Sequence, residues 1–151
     1  MSGPFTPVGS EVEFRFAPEL AAFLADVPVA LSSIVRDRDD PASARLQVPV
    51  YLDDQASDHE YWELMGAELD RERAADRSTF ARLTEEAVDG VRVSREDAHA
   101  YLRVLVEARL VLASRMGVEV EEDYEDLGPE QSGVLGALAE LQVLLLRALG
   151  P

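Results

Sequence analysis

The helical spacing of apolar residues near the C-terminus constrains the fold of this chain more than any other feature. Between Pro129 and Leu149, leucine and valine recur every three or four residues. That period places their side chains on one face of an α-helix. Gly133 and Gly136 lie in the same segment and allow a neighbouring element to approach closely. The segment therefore predicts an amphipathic helix that buries one face in a core.

Two earlier segments show the same helical period. Residues 18–38 predict one helix, kinked at Pro28 because proline removes a backbone hydrogen bond. Residues 54–88 predict a second, longer helix whose apolar residues form a core face. We leave open a break near residues 76–78, since that part of the face lacks large apolar side chains.

A serine followed three residues later by an aspartate marks the start of a further helix. Ser94 and Asp97 resemble a capping box, in which the serine side chain accepts a hydrogen bond from a backbone N–H. We expect this helix to end at Gly117, because glycine commonly follows the last helical residue. The chain thus contains four predicted helices joined by short connections, and a division of the helix over residues 54–88 is left open.

The N-terminal residues follow a different period. Val12, Phe14 and Phe16 alternate with charged residues, which is typical of a short strand or hairpin. The predicted fold is mainly α: a helical bundle of four to five helices with a short N-terminal β strand or hairpin. We expect a single helical domain over residues 1–151, with residues 1–17 as β element and lead-in and residues 18–151 as the bundle.

The charge of the chain limits its partners. Thirty acidic residues against fourteen basic ones give a net charge of -16, which repels phosphate backbones and acidic lipid surfaces. No apolar run approaches the length needed to cross a bilayer, and the N-terminus lacks the pattern of a signal peptide. There is no cysteine to form a disulfide. We therefore expect a cytoplasmic protein that binds neither nucleic acid nor membrane.

Arg109 is the candidate site residue that the sequence singles out. Its spacing from neighbouring leucines places it within the apolar face of its helix, where an unpaired charge is costly. The favoured partners are Asp53 and Asp54, which end the stretch "VPVYLDD" that we expect to be extended. Glu60 is the third candidate. The alternative is that Arg109 extends along the rim of the core to reach water.

A metal site is the other interpretation of the acids in this stretch. Asp54, Asp58, His59 and Glu60 are close in sequence, but consecutive helical positions point in different directions. Their side chains cannot converge on one ion, so we predict no metal and no cofactor. His99 is interpreted as a surface residue. The sequence also lacks a cysteine nucleophile, a GxSxG motif and a phosphate-binding loop, so no catalytic residue is assigned.

The series "RLQVPVYLDD", "EYWELMGAEL", "EARLVLASRMGV" and "LAELQVLLLRAL" resembles an actinobacterial family, the domain of unknown function numbered two thousand and seventeen. The resemblance covers nearly the whole chain. It departs from the family pattern at Val50, where alanine is usual, and near Ser114, where glycine is usual. The positions that match the family pattern are Arg45, Pro49, Tyr51, Asp53, Asp54, Glu60, Arg109 and Leu110.

The resemblance implies a cytoplasmic protein from an actinobacterium. The composition agrees, since every basic residue is arginine and asparagine is absent, as a GC-rich genome favours. Members of the family are commonly encoded near the adaptor of the Clp protease and near sulfur-carrier and cysteine-biosynthesis genes. Some members are labelled transcriptional regulators, which the negative charge of this chain disfavours.

The sequence favours a non-enzymatic protein-interaction or accessory protein, and the family resemblance implies a link to regulated proteolysis or sulfur metabolism. In this hypothesis the acidic residues 119–126 attract a basic partner. The alternative is an enzyme or a binder of a small anionic ligand, using a pocket near Arg45, Tyr51, Asp53 and Arg109. A homo-oligomer is also open, because surplus apolar positions remain. These positions include Val106, Val111 and Leu144.

Overall fold

A computed structural model of the protein describes residues 3–36, 55–115 and 127–150. The described chain is mainly helical and carries a small antiparallel sheet of order β1-β2-β3, which confirms the predicted fold class. The elements are β1 (Phe5–Val8), β2 (Glu11–Phe14), α1 (Pro18–Ala25), α2 (Val27–Arg36), α3 (Gln55–Glu86), β3 (Val91–Val93), α4 (Arg95–Arg115) and α5 (Pro129–Leu149).

The N-terminal hairpin follows the alternation of the sequence. Gly9 makes the turn between β1 and β2 with a φ of 62°, a left-handed conformation that glycine adopts without a steric penalty. Val12 and Phe14 are buried, as the alternation predicted. The sequence did not predict β3, because three residues are too few to establish a period. This strand pairs with β2, with Val93 opposite Val12.

The predicted helix over residues 18–38 is divided into two helices. α1 ends at Ala25 and α2 begins at Val27, so the break lies at Asp26 rather than taking the form of a kink at Pro28. Proline accounts for the division, because its ring cannot donate a hydrogen bond to the preceding turn and clashes with it. A single kinked helix was therefore the wrong description of this segment.

α3 is continuous over its 32 residues, and the break left open near residues 76–78 does not occur. After α3 ends, Gly90 adopts a φ of 84° and redirects the chain into β3. The capping prediction at Ser94 is confirmed, since the backbone N–H of Asp97 donates to Ser94 Oγ over 3.2 Å. α4 follows from Arg95, and its predicted end at Gly117 lies outside the described residues.

The core begins where the sheet meets α3 and α4. Phe14 of β2 contacts Tyr101 of α4 edge to face, with ring centroids 5.0 Å apart. Phe80 of α3 stacks on the same tyrosine at 4.0 Å. The hydroxyl groups of Tyr101 and Thr84 are hydrogen-bonded over 2.7 Å, so the buried phenol has a polar partner. Burial raises the pKa of Tyr101 above its ordinary value and keeps the phenol protonated.

α5 has the bounds that the sequence predicted, Pro129–Leu149. It packs against α4 and β1. Its buried residues recur at helical spacing on one face and extend the core begun by the aromatic cluster. These residues are Leu135, Leu138, Leu141, Leu145 and Leu149.

Candidate functional site

A groove of about 810 Å³ runs between α3 and α4. Its apolar walls include Leu110, which exposes 43% of its surface, and three leucine and valine side chains that are half-buried. Charged residues from both helices line the same groove. The lining residues are Leu69, Glu72, Arg73, Ala75 and Asp76 of α3 with Leu102, Arg103, Val106, Glu107 and Leu110 of α4.

The groove lies where the α3 face facing α4 changes from apolar to charged residues. Toward its C-terminal end, α3 presents Phe80 and Leu83, both buried. One turn earlier the inward position is Arg77, which is only 6% exposed, and Arg73 precedes it by four residues. Residues four apart lie on one helix face, so both guanidinium groups are directed toward α4.

Glu107 of α4 is the counter-charge for both arginines. One carboxylate oxygen lies 3.7 Å from Arg73 Nε and the other lies 3.5 Å from Arg77 Nη1. Glu107 itself is 9% exposed. Within the described part of the chain, Arg77 Nε and Nη1 and Glu107 Oε2 have no hydrogen-bond partner. The three side chains are therefore a buried ion cluster whose hydrogen-bonding capacity is incompletely used.

The burial of Glu107 changes its acidity. Desolvation raises the pKa of this carboxyl above its ordinary value, and it outweighs the lowering effect of Arg77 and Arg73. Asp76 nearby raises the pKa of Glu107 further by repulsion. A proton is thus held more tightly on Glu107 in the folded chain than in the unfolded one.

A second ion pair lies at the exposed edge of the groove. Arg103 donates to the two carboxylate oxygens of Asp76 from Nε and Nη2, over 2.7 and 2.9 Å. The hydrogen bond to Asp76 is the main reason that the pKa of Arg103 is raised. The Arg103 side chain remains 58% exposed, so water screens this pair more than the cluster around Glu107.

Arg109 lies in the same helix but belongs to the opposite interface. Its side chain is half-buried, and Nη1 donates to Gln142 Oε1 of α5 over 3.0 Å. The sequence predicted a carboxylate partner, whereas the partner in the described part of the chain is the amide of Gln142. Glu60, the third candidate partner, is exposed on α3. Arg45, Tyr51, Asp53 and Asp54 lie outside the described residues, so their contact with Arg109 stays a prediction.

Sequence reasoning missed Arg77 and Glu107, although a signal for each was present. The apolar face of α3 lacks large apolar side chains around Arg77, and the sequence left open a break at residues 76–78 instead of predicting buried charge. Glu107 lies three residues after Val104 and four before Val111, both buried. The spacing argument that singled out Arg109 therefore applies to Glu107 as well.

Of the other predicted site residues, those whose side chains the structure describes do not line the groove. Of the metal candidates, Asp54 lies outside the described residues, the side chains of Asp58 and His59 are likewise not described, and Glu60 is exposed. The described ranges contain no group of three metal-ligating side chains. His99 is exposed, as predicted. Among the described residues, the groove lining contains no serine, cysteine or histidine.

One described helix, Pro129–Leu149, is long and apolar enough to cross a membrane by length and composition, although a third (33%) of its apolar window is buried within the chain. The same test is passed by core helices of soluble proteins. The sequence statement that no apolar run approaches the length of a membrane span is therefore wrong for this helix. The expectation of a protein without a membrane-spanning segment stays a prediction.

The comparisons with known proteins identify a family and no nearer relative. The family model of the domain of unknown function DUF2017 matches residues 2–149. No curated protein and no solved structure shows significant similarity to the chain. The match covers every element described above, so the groove and the ion cluster lie within the family domain.

Proposed function

Because the chain belongs to the DUF2017 family, whose function is unknown, we propose a function from its groove. We propose that the protein is a non-enzymatic interaction protein that binds a basic amphipathic helix of a partner protein between α3 and α4. Amphipathic helices bind by laying their apolar face into such grooves. The observation that carries this proposal is the exposed apolar wall around Leu110.

The net charge of the chain favours a basic partner. Within and below the groove, the three acids Glu72, Asp76 and Glu107 are balanced by three arginines, so the groove itself is close to neutral. The remaining surface is strongly acidic, because the whole chain carries a charge of -16. Attraction over long range would then accelerate encounter, while apolar contacts in the groove would hold the complex. The acidic residues 119–126, which lie outside the described residues, would add to this attraction.

We also propose that the protein works in the cytoplasm of an actinobacterium, as an accessory factor in regulated proteolysis or sulfur metabolism. The support is the family resemblance, the absence of cysteine and the use of arginine as the only basic residue apart from histidine. In that setting the partner would be another protein of the same pathway. A role as a transcriptional regulator has less support, because the negative charge opposes binding to DNA.

Affinity capture from cells of the source organism tests the groove directly. The tagged protein is compared with Leu110→Arg, which puts a positive charge in the groove, and with Val88→Arg. Val88 is a matched control, since it is 42% exposed and lies just after the C-terminal end of α3, away from the groove. We expect one protein in a defined ratio with the parent and Val88→Arg, and its loss with Leu110→Arg. Recovery that is equal with all three would refute the groove as the binding surface.

The salt dependence of capture tests the electrostatic part. Association should slow as salt is added, because screening weakens attraction between the acidic surface and a basic partner. The amount bound at equilibrium should fall less if apolar contacts hold the complex. An association rate that is independent of salt would show that the charge of -16 does not guide the partner.

A further inference from the structure

α5 presents an apolar face that the rest of the described chain leaves uncovered. Its leucines on the opposite face are buried against α4 and β1, but Val143 and Leu146 are 46% and 47% exposed. The helix is apolar enough to cross a membrane by length and composition, and only 33% of its apolar window is buried. Apolar side chains grouped on one exposed helix face are characteristic of an interaction surface.

Two charged residues frame this face. Glu140 and Arg147 are exposed, and neither side chain has an ion-pair or hydrogen-bond partner in the part of the chain that the structure describes. They are seven residues apart, which is about two helical turns or roughly 10 Å, so both lie on the same face as Val143. The negative charge precedes the apolar centre and the positive charge follows it.

We propose that this face binds a second copy of the chain, with the two α5 helices antiparallel. A two-fold axis beside Val143, midway between the two charges, places Glu140 opposite Arg147 of the partner subunit. The same axis places Arg147 opposite the partner's Glu140, so both charges are paired in one arrangement. A surface that is complementary to itself in this way is what a two-fold symmetric dimer requires.

Glycine positions in α5 agree with a close approach of the second helix. A Cβ added at Gly133 or Gly136 would meet nothing within 4 Å, so the packing of the chain itself does not require glycine there. Glycine inside a helix costs about 1 kcal/mol relative to alanine. Gly136 lies one turn before Glu140, on the same face, where the antiparallel arrangement brings in the C-terminal end of the partner helix.

The apolar residues and the charges have different roles in this dimer. Val143 and Leu146 supply the surface that is removed from water, which drives association. Exposed ion pairs add little affinity, but like charges placed opposite each other are unfavourable. The charges therefore select the antiparallel orientation, and this orientation can be tested by reversing the charge at either position. The dimer does not depend on the α3–α4 groove, so either proposal can fail without the other.

The test is the molar mass of the purified full chain by sedimentation over a wide concentration range. The parent should shift from monomer to dimer as its concentration rises. Glu140→Arg and Arg147→Glu each place two like-charged pairs across the axis, and each should weaken the dimer about tenfold or more. A mixture of the two variants should restore association, because their charges are then complementary. The matched control is Glu85→Arg, at an exposed glutamate of α3, which should leave the dimer unchanged.

The outcomes separate this dimer from other occupants of the same face. Recovery in the mixture of the two variants supports antiparallel pairing and rules out misfolding of the single variants. A parent that stays monomeric at all concentrations overturns the proposal, and so does a monomer that binds lipid vesicles through this face. A dimer that is insensitive to both charge reversals also overturns it, since another surface would then hold the copies together.

Discussion

The two ends of the α3–α4 helix pair differ in chemistry although the same two helices form both. At the sheet end, Phe80 and Tyr101 stack and seal the contact, and the buried hydroxyls of Tyr101 and Thr84 are paired. The ion pair of Arg82 and Asp97 lies at the exposed edge of this end. At the groove end, Arg77 and Glu107 occupy the inward positions and an open groove lies beside them. We infer that the sheet end stabilises the fold, while the groove end is free to bind a partner.

The charges at the groove end are poorly suited to stabilisation. Ions taken out of water recover their hydration energy only with short, well-directed hydrogen bonds. The contact between Arg77 and Glu107 is 3.5 Å and leaves hydrogen-bonding atoms of both residues unused in the described part of the chain. An apolar pair would fill this position at least as well. The comparison therefore predicts different responses to substitution at the two ends.

The largest effect is expected at the sheet end. Phe80→Ala should lower the free energy of unfolding by about 3 to 5 kcal/mol, because the fully buried ring leaves a cavity beside Tyr101. Urea denaturation measures the change. Val29→Ala is the control, since Val29 is 73% exposed and its truncation should change stability little. A loss at Phe80 no greater than that at Val29 would contradict the assignment of stability to the sheet end.

The next effect concerns the buried ion cluster. Arg77→Met should destabilise the chain by about 3 kcal/mol, because Glu107 then loses its most buried counter-charge. Adding Glu107→Leu to that variant should recover most of the loss, since no buried carboxylate is left without its partner. Urea denaturation of the two single variants and the double variant gives the coupling energy. If the double variant loses as much as the two single variants combined, the coupling energy is zero, which would contradict the account of a coupled buried pair.

A smaller effect is expected at the exposed pair in the same interface. Arg103→Ala should cost less than about 1 kcal/mol, because an arginine side chain that is 58% exposed is screened by water. The bidentate hydrogen bonds to Asp76 do not change this expectation. Thermal unfolding compared with Arg77→Met provides the measurement. If Arg103→Ala and Arg77→Met lose the same stability, the buried and the exposed pairs do not differ in the way that the comparison predicts.

The smallest effect is on the pH dependence of stability. Because the pKa of Glu107 is raised on folding, the native chain binds this proton more tightly than the unfolded chain. The contribution of Glu107 to the free energy of unfolding is therefore greatest below its ordinary pKa. It is lost as the pH rises through the raised pKa of the folded chain. The side chain at position 107 cannot titrate in Glu107→Gln. The stability of this variant relative to the parent should therefore increase between the ordinary pKa and the raised folded pKa of Glu107, and then level off. A difference in stability between parent and variant that is constant with pH would show that folding does not shift the pKa of Glu107.

The helices that the sequence predicted well are those whose apolar pattern is complete. α5 follows from its leucine spacing, and the start of α4 follows from Ser94 and Asp97, because both signals depend only on neighbours in the chain. The division at Asp26 was missed, since periodicity alone does not distinguish a kink from a break. β3 was missed because its three residues show no period.

The candidate site was less predictable, because it depends on contacts between distant residues. The sequence singled out Arg109 as a charge on an apolar helix face, and its side chain is half-buried, but its hydrogen bond to Gln142 spans 33 positions in the sequence. Helix spacing does not give the rotation of one helix against another, so it cannot identify such a partner. Arg77 and Glu107 were missed for a different reason. For the part of the α3 face that lacks large apolar side chains, the sequence left open a helix break at residues 76–78 and did not predict a buried ion pair.

Site-specific photocrosslinking tests most directly whether the groove end of the helix pair is the binding surface. A photoreactive side chain replaces Leu110 in one variant and Val88 in another, positions of nearly equal exposure at 43% and 42%. Both variants are irradiated in cells of the source organism, and the adducts are identified by mass spectrometry. A single partner protein linked from position 110 and absent from position 88 is the expected result. Equal adducts from both positions, or adducts from position 88 alone, would contradict the division between a stabilising end and a binding end.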